Sequence, residues 1–211
     1  MVLRLNGANS LLPGANRTSE IDIWQAASEQ GIAPPLLHVD EHAKFLISTY
    51  IESTLPPQPQ LDDALINRAF SLLNRCHQLD IEAPSISYTD HINQYWEIIE
   101  GKAHLANPGL QQQRHLMQGL LEDILGSNTP TGLCHHDPVI ANFVGTPERL
   151  YLIDWEYAAG GLLIMDIAAF ATEWKIDDRT VIEQSGVQLD LLNTAKTLYT
   201  YLCDLWVAAT A

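Results

Sequence analysis

Residues 133–157 read LCHHDPVIANFVGTPERLYLIDWEY and hold more candidate chemistry than any other part of the chain. His135, Asp137 and Asn142 form the pattern H-x-D-x4-N, and Asp154 follows two apolar runs, FVG and LYLID. The turn-rich segment TPER joins these runs, so we predict a β-hairpin. The hairpin would present the Asp154 carboxylate at its far end, close to the loop that precedes it.

These residue types match the needs of phosphoryl transfer to an alcohol. One carboxylate must orient and deprotonate the hydroxyl, and oxygen ligands must hold the Mg²⁺ that bridges the phosphates. Asp137 suits the first task, whereas Asn142 and Asp154 suit the second. A zinc site is a weaker interpretation, because C-x-x-C spacing is absent and Cys76 with His77 is the only comparable cluster. Asp137 and Asn142 alone would read as turn residues, but the hairpin after them favours a functional loop.

The same segment resembles the choline kinase and aminoglycoside phosphotransferase family, which shares the protein-kinase-like fold. The sequence IDWE at Ile153–Glu156 favours the choline kinase side, because protein kinases have Phe-Gly after the corresponding Asp. The resemblance implies that Asp137 is the catalytic base and that His135 supports the loop. It also implies that Asn142 and Asp154 bind Mg²⁺ and that ATP is the phosphate donor.

The beginning of the chain fits the same family pattern. The run VLRL reads as a strand that carries Arg4, where kinases place a cation for the nucleotide phosphates. A helix is predicted over 16–31, with capping residues at its start and Gly31 at its end. It carries Glu20, which matches the helix glutamate that pairs with this cation. The simpler alternative is that Glu20 is a favourable acid near a helix N-terminus.

A second predicted strand covers 45–52 and reads FLISTYIE. The resemblance makes it the strand and hinge between two lobes, so backbone groups near Thr49, Tyr50 and Ile51 would contact adenine. Helices are predicted over 61–79, 90–105 and 109–127 from their apolar spacing, and two more over 164–175 and 189–211.

Aromatic residues near the end of the chain suggest where a substrate binds. Family members that bind choline hold its quaternary ammonium by cation–π contacts with Trp and Tyr. Glu173, Trp174 and Trp206 are the candidates for substrate contact. Packing between helices is the alternative explanation for each aromatic residue.

One family feature is missing from the expected position. Only Met1 precedes the VLRL strand, whereas the Gly-rich hairpin that covers the ATP phosphates should precede it. We therefore expect the 211-residue chain to be truncated or reduced, folded but weak or inactive as a kinase.

The composition limits the kinds of partner that the protein is expected to bind. The formal net charge is −15, which argues against nucleic acid and is compatible with a cationic substrate. The sequence has neither a membrane-length apolar run nor a signal-peptide start, and its three scattered cysteines suggest no disulfide framework. Cytoplasm is the simplest compartment, and the oligomeric state is left open.

Together these observations predict an α+β, protein-kinase-like two-lobe fold. A reduced N-terminal sheet lobe would cover 1–52, and a mainly helical C-terminal lobe would cover 53–211. The predicted function is ATP- and Mg²⁺-dependent phosphorylation of a small cationic alcohol such as choline or ethanolamine. The alternatives are a thiamine or aminoglycoside phosphotransferase, or a non-catalytic kinase-like binding protein.

Overall fold

The computed structural model describes residues 1–6, 13–55, 62–102 and 108–211. The helices are α1 (Arg17–Glu29), α2 (Asp63–His77), α3 (Tyr88–Gly101), α4 (Pro108–Gly126), α5 (Leu163–Glu173), α6 (Asp178–Ser185) and α7 (Leu189–Thr210). The strands are β1 (Val2–Leu5), β2 (Leu36–Val39), β3 (Phe45–Ser48), β4 (Thr131–Cys134), β5 (Phe143–Thr146), β6 (Arg149–Leu152) and β7 (Ala159–Leu162). The chain forms two compact units, Met1–Pro84 with Gly132–Gly161, and Ser85–Thr131 with Leu162–Ala211.

In the first unit, an antiparallel sheet in the order β1-β3-β2 places Arg4 opposite Leu46. Helix α1 begins after Asn16, whose side chain accepts hydrogen bonds from the backbone N–H groups of Thr18 and Ser19. Ile23, Trp24 and Ala27 lie on one face of this helix and are buried, as the predicted periodicity requires. The buried Glu20 belongs to the same helix, so its carboxylate points inward in the first turn.

The first unit also contains the predicted hairpin. Strands β5 and β6 pair antiparallel, with Phe143 opposite Leu152 and Thr146 opposite Arg149. Gly145 has a φ of +124°, and a Cβ atom there would lie 2.2 Å from the carbonyl oxygen of Arg149. Glycine is therefore required at this position, because the hairpin backbone leaves no room for a side chain.

The second unit is helical and packs around α7. Helix α5 is buried at eight consecutive residues, 164–171, which is typical of a helix surrounded by protein on all sides. The buried positions of α7 recur every three or four residues, and α3, α4 and α5 all contact this helix. Trp96 of α3 donates a hydrogen bond from Nε1 to the Tyr201 hydroxyl at 3.0 Å, which satisfies both buried polar groups.

The mixed sheet and helix content confirms the predicted α+β class. The predicted strand over 45–52 is shorter than expected and ends at Ser48, because the backbone N–H of Thr49 turns to the carbonyl of Pro35 at 2.9 Å. Residue 61 and residues 103–105, at the ends of two predicted helices, lie outside the described residues. The lobe boundary at residue 52 stays a prediction. Within the described ranges, no helix combines the length and the apolar character needed to cross a membrane.

Candidate active site

In the loop after β4, the side chain of Asn142 forms hydrogen bonds with Asp137. Asn142 lies in a short 3-10 turn, Ile140–Asn142, and is buried. Its Nδ2 donates to the backbone carbonyl of Asp137 at 2.9 Å and to the Asp137 Oδ2 at 2.7 Å. Both bonds use the amide nitrogen, so the amide oxygen of Asn142 is the atom that can bind a cation. The same contacts fix the Asp137 carboxylate in one orientation.

The hairpin brings Asp154 next to this pair. The backbone N–H of Ile153 donates to the carbonyl of Asn142 at 3.0 Å, which extends the β5–β6 ladder by one step. Asp154 follows immediately and has a φ of 66°, in the left-handed region that non-glycine residues rarely adopt. Its side chain is 44% exposed, so the carboxylate can meet a ligand from solvent.

His135 contacts the residues on both sides of Asp154. It is fully buried, and its Nε2 lies 3.1 Å from the carbonyl oxygen of Ile153. Its ring packs edge-on against Trp155, with a centroid distance of 4.8 Å and an interplanar angle of 65°. These contacts hold the strained Asp154 backbone from two directions.

Arg4 and Glu20 form the ion pair that the sequence order suggested. Arg4 Nη1 lies 2.5 Å from Glu20 Oε1, and Arg4 Nη2 lies 3.3 Å from Glu20 Oε2. The Glu20 side chain is fully buried, whereas that of Arg4 is 24% exposed. Arg4 Nη1 also lies 3.5 Å from Asp154 Oδ1, which connects this pair to the loop and hairpin residues.

Arg4, Glu20 and Asp154 belong to a charged cluster that also contains Arg17 and Glu156. The sequence did not single out Arg17 or Glu156 as site residues. Arg17 Nη1 lies 2.9 Å from Glu156 Oε2 and 3.1 Å from Glu20 Oε2. Glu156 Oε2 is also 3.5 Å from Arg4 Nη2. Arg17 stands three residues before Glu20 on α1, a spacing at which helix side chains meet, and Glu156 belongs to the IDWE motif. These two signals were present in the sequence.

The cluster carries more negative than positive charge, with three carboxylates and two guanidinium groups. Burial raises the pKa of Glu20 to about 7, although the ion pair with Arg4 acts in the opposite direction. Burial also raises the pKa of Glu156, and the neighbouring Asp154 carboxylate adds to this effect. The Asn142 amide oxygen and the Asp154 carboxylate are oxygen ligands of the kind that Mg²⁺ prefers.

The predicted hinge residues lie just beyond β3. The backbone N–H of Thr49 donates to the Pro35 carbonyl at 2.9 Å, so this N–H is already used within the protein. The side chain of Tyr50 is 62% exposed, and Ile51 is partly buried. Adenine contacts at these residues stay a prediction.

The predicted substrate residues lie in the second unit and differ in their surroundings. Glu173, at the end of α5, accepts a hydrogen bond from the Tyr199 hydroxyl at 2.9 Å. Burial raises the pKa of Tyr199 well above its usual range, so this phenol remains a donor. Trp174 is 1% exposed and packs against Phe170 at 4.9 Å, whereas Trp206 is 44% exposed. A role for them in substrate contact stays a prediction, and in this conformation Trp174 serves as a core side chain.

Comparison with known proteins identifies the fold. The choline kinase LicA from Streptococcus pneumoniae has a TM-score of 0.82 at 21% identity, covering 99% of this chain and 76% of LicA. A choline/ethanolamine kinase family protein from Mesorhizobium loti has a TM-score of 0.80 at 21% identity, covering 97% of this chain and 71% of that protein. An aminoglycoside phosphotransferase from Streptomyces rimosus has a TM-score of 0.64 at 18% identity, covering 89% of this chain and 81% of its own. These similarities confirm the predicted protein-kinase-like fold.

The family follows from the sequence itself. A comparison with curated protein sequences gives no match. The family model described as choline/ethanolamine kinase, however, matches residues 1–204, which is nearly the whole chain. The chain therefore belongs to the choline/ethanolamine kinase family, and the protein is a small-molecule kinase.

Proposed function

We propose that the protein transfers a phosphoryl group from ATP, with Mg²⁺, to the hydroxyl of a small cationic alcohol such as choline or ethanolamine. The observation that carries this proposal is the Asp137–Asn142–Asp154 arrangement. The Asn142 amide nitrogen orients the Asp137 carboxylate, and the amide oxygen remains for a cation. Asp154 follows Ile153, whose backbone N–H donates a hydrogen bond to the Asn142 carbonyl. In-line phosphoryl transfer depends mostly on such positioning.

Asp137 is the group that accepts the proton of the acceptor hydroxyl. Its Oδ2 is held by Asn142, and its side chain is only partly buried, so a small alcohol can reach it. A positioned base contributes typically 10²–10⁴-fold to the rate. His135 keeps the following segment in place through the Ile153 carbonyl.

Asn142 and Asp154 would hold Mg²⁺. A bound Mg²⁺ neutralises charge that develops on the phosphate oxygens during transfer. Both side chains offer oxygen ligands, and carboxylate with amide oxygen is the chemistry that hard divalent cations prefer.

Arg4 is the cation suited to the nucleotide phosphates. It lies next to Asp154 and is partly exposed, so the guanidinium can reach an anion without unfolding the strand that carries it. Structurally similar proteins support nucleotide as the donor, since LicA has been solved with AMP and the Streptomyces rimosus enzyme with ADP.

The proposal that the acceptor is a cationic alcohol is supported by the negative net charge of the protein. The family description and the net charge of −15 both favour a small cationic alcohol, because an acidic protein attracts cations over long range. Within the second unit, Glu173 and Trp206 stay the candidates for the ammonium group, since Glu173 is held by Tyr199 and Trp206 has an exposed aromatic face.

The test is ATP consumption with choline, ethanolamine, thiamine and an aminoglycoside as separate acceptors, each with and without Mg²⁺. We expect weak but detectable turnover with one of the first two acceptors, and dependence of that turnover on Mg²⁺. Asp137→Ala should reduce turnover by about 10²-fold or more without loss of folding. Asp190→Ala, which removes an exposed carboxylate on α7, is the matched control and should behave like the parent. Turnover only with thiamine or the aminoglycoside would reassign the substrate, and absence of turnover with all four would favour a binding protein.

A further inference from the structure

Among the described residues of the cluster, Arg17 pairs with Glu20 and Glu156, whereas Arg4 pairs with these two and with Asp154 as well. A single nitrogen, Nη1, lies 3.1 Å from Glu20 Oε2 and 2.9 Å from Glu156 Oε2. The Arg17 side chain is 27% exposed, Glu156 is 22% exposed and Glu20 is fully buried. This differs from a surface pair such as Arg179–Glu183, whose side chains are 87% and 63% exposed.

The contacts of Arg4 show why a second cation matters. Arg4 faces Glu20, Asp154 and Glu156 at once, at 2.5, 3.5 and 3.5 Å. To pair with a nucleotide phosphate, its guanidinium must give up part of these contacts. Glu20 is fully buried, and a buried carboxylate left without a cation is strongly disfavoured. Arg17 remains beside Glu20 when Arg4 turns away, so the carboxylate keeps a partner.

Arg17 also fixes the position of Glu156. Glu156 follows Asp154 by two residues and is the central residue of the short 3-10 turn Trp155–Tyr157, which begins directly after the strained backbone of Asp154. The backbone carbonyl of Glu156 accepts a hydrogen bond from the N–H of Asn16 at 2.9 Å, so the start of α1 contacts both the backbone and the side chain of this residue. A helix start is thereby attached to the segment that carries the proposed metal ligand.

We propose that Arg17 is a positioning residue of the kinase site. It neutralises Glu20 and Glu156, which frees the Arg4 guanidinium for the nucleotide phosphates and keeps Glu156 beside Asp154. Arg17 acts through these carboxylates and not by direct contact with the nucleotide. This inference rests on the proposed function, since it assumes that Arg4 binds phosphate.

The experiment is calorimetric titration of the protein with Mg²⁺–ADP. We expect Arg17→Gln to weaken the affinity by about tenfold, which corresponds to about 1.4 kcal/mol. With the accepted substrate, KM for ATP should rise more than kcat falls. Arg17→Lys keeps the charge but has a compact ammonium on a different stem, so it should recover part of the loss. Arg179→Gln removes the exposed arginine of α6 and is the matched control, with affinity equal to that of the parent.

A double-substitution cycle separates positioning from direct phosphate binding. If Arg17 acts through the carboxylates, Arg17→Gln should cost clearly less affinity in a Glu156→Gln background than in the parent. An equal loss in both backgrounds would indicate direct contact with the nucleotide and would overturn the proposal. Unchanged affinity in Arg17→Gln would also overturn it, and if that variant does not fold, unchanged affinity in Arg17→Lys has the same meaning. A parent that fails to bind Mg²⁺–ADP refutes the proposed function, and this inference with it, before any substitution is compared.

Discussion

Removal of the Asn142 side chain should affect both stability and turnover, because this one amide connects the proposed base to the proposed metal site. Asn142→Ala deletes a hydrogen bond of 2.9 Å to the Asp137 carbonyl and one of 2.7 Å to its carboxylate. Asn142 is 7% exposed, so water cannot easily replace the lost donor. Asp137 itself is only partly buried, and water can reach its carboxylate from the open side.

The size of the effect follows from these two bonds. A neutral hydrogen bond contributes about 1 kcal/mol to stability, and one to a charged group about 1.5–3 kcal/mol. Since water partly compensates at Asp137, we expect the free energy of unfolding to fall by about 2–3 kcal/mol. For a chain of this length each kcal/mol lowers Tm by about 2–4 °C, so Tm should fall by roughly 4–12 °C. Turnover should fall by about 10²-fold, because the base loses its orientation and the cation loses a ligand.

Urea unfolding and initial-rate kinetics on the same preparations measure both effects. Asn193→Ala is the matched control, because Asn193 is exposed on α7, and only its backbone takes part in the hydrogen bond from Thr197. Asn142→Asp is a second test, since it places a carboxylate against that of Asp137. Its loss of stability relative to the parent should be larger at neutral pH than in acid, where one of the two carboxyl groups is protonated. A loss below about 0.5 kcal/mol in Asn142→Ala, with turnover like that of the parent, would refute the role assigned to this amide.

Three further predictions concern the same unit. Asp154→Asn should abolish the Mg²⁺-dependent part of ADP binding in calorimetry, because it removes an anionic ligand; unchanged Mg²⁺ dependence would contradict this. Glu20 has a folded pKa of about 7 against an ordinary value of 4.5, so the folded protein binds this proton more tightly and the free energy of unfolding should fall as pH rises from 4.5 to 7. Glu20→Gln should remove up to about 3 kcal/mol of that decline in urea titrations, and parallel pH curves for parent and variant would argue against it. Gly145→Ala should destabilise by about 3 kcal/mol or more, as the new Cβ meets the Arg149 carbonyl, whereas Gly119→Ala on α4 should be neutral or stabilising in thermal unfolding.

Much of the fold could be predicted because local signals agreed with it. The Asn16 cap and the apolar face of Ile23, Trp24 and Ala27 predicted α1, and the turn-rich TPER between two apolar runs predicted the hairpin. Strands β2, β4 and β7 and helix α6 were not predicted. Strand β2 is only four residues long and exposes its central residues, and α6 buries only Val181, so neither shows a strong periodic pattern.

The residues proposed to carry the chemistry could be singled out from the sequence, whereas two residues that contact them in the folded unit could not. The spacing of Asp137, Asn142 and Asp154 was enough to indicate their proposed roles. Arg17 was not singled out, because an arginine in the first turn of a helix usually reads as a surface cation. Its importance depends on Glu156, which is far away in sequence and comes close only in the folded unit. Asp adopts the left-handed region more readily than most non-glycine residues, but that preference alone does not predict it at Asp154, where neighbours in space impose the conformation.

The left-handed conformation of Asp154 depends on contacts with most of the other residues of the candidate site. A non-glycine residue in the left-handed region costs of order 1–3 kcal/mol and persists only when its surroundings impose it. For Asp154 the surroundings are identifiable: His135 contacts the residues on either side, the Ile153 N–H is held by the Asn142 carbonyl, and Arg4 faces the carboxylate. The strain is thus maintained by the same residues that the proposed chemistry requires. A backbone fixed in this way keeps the Asp154 carboxylate at one place when Arg4 turns to the phosphates, which is the arrangement expected of a site that acts by positioning and electrostatics.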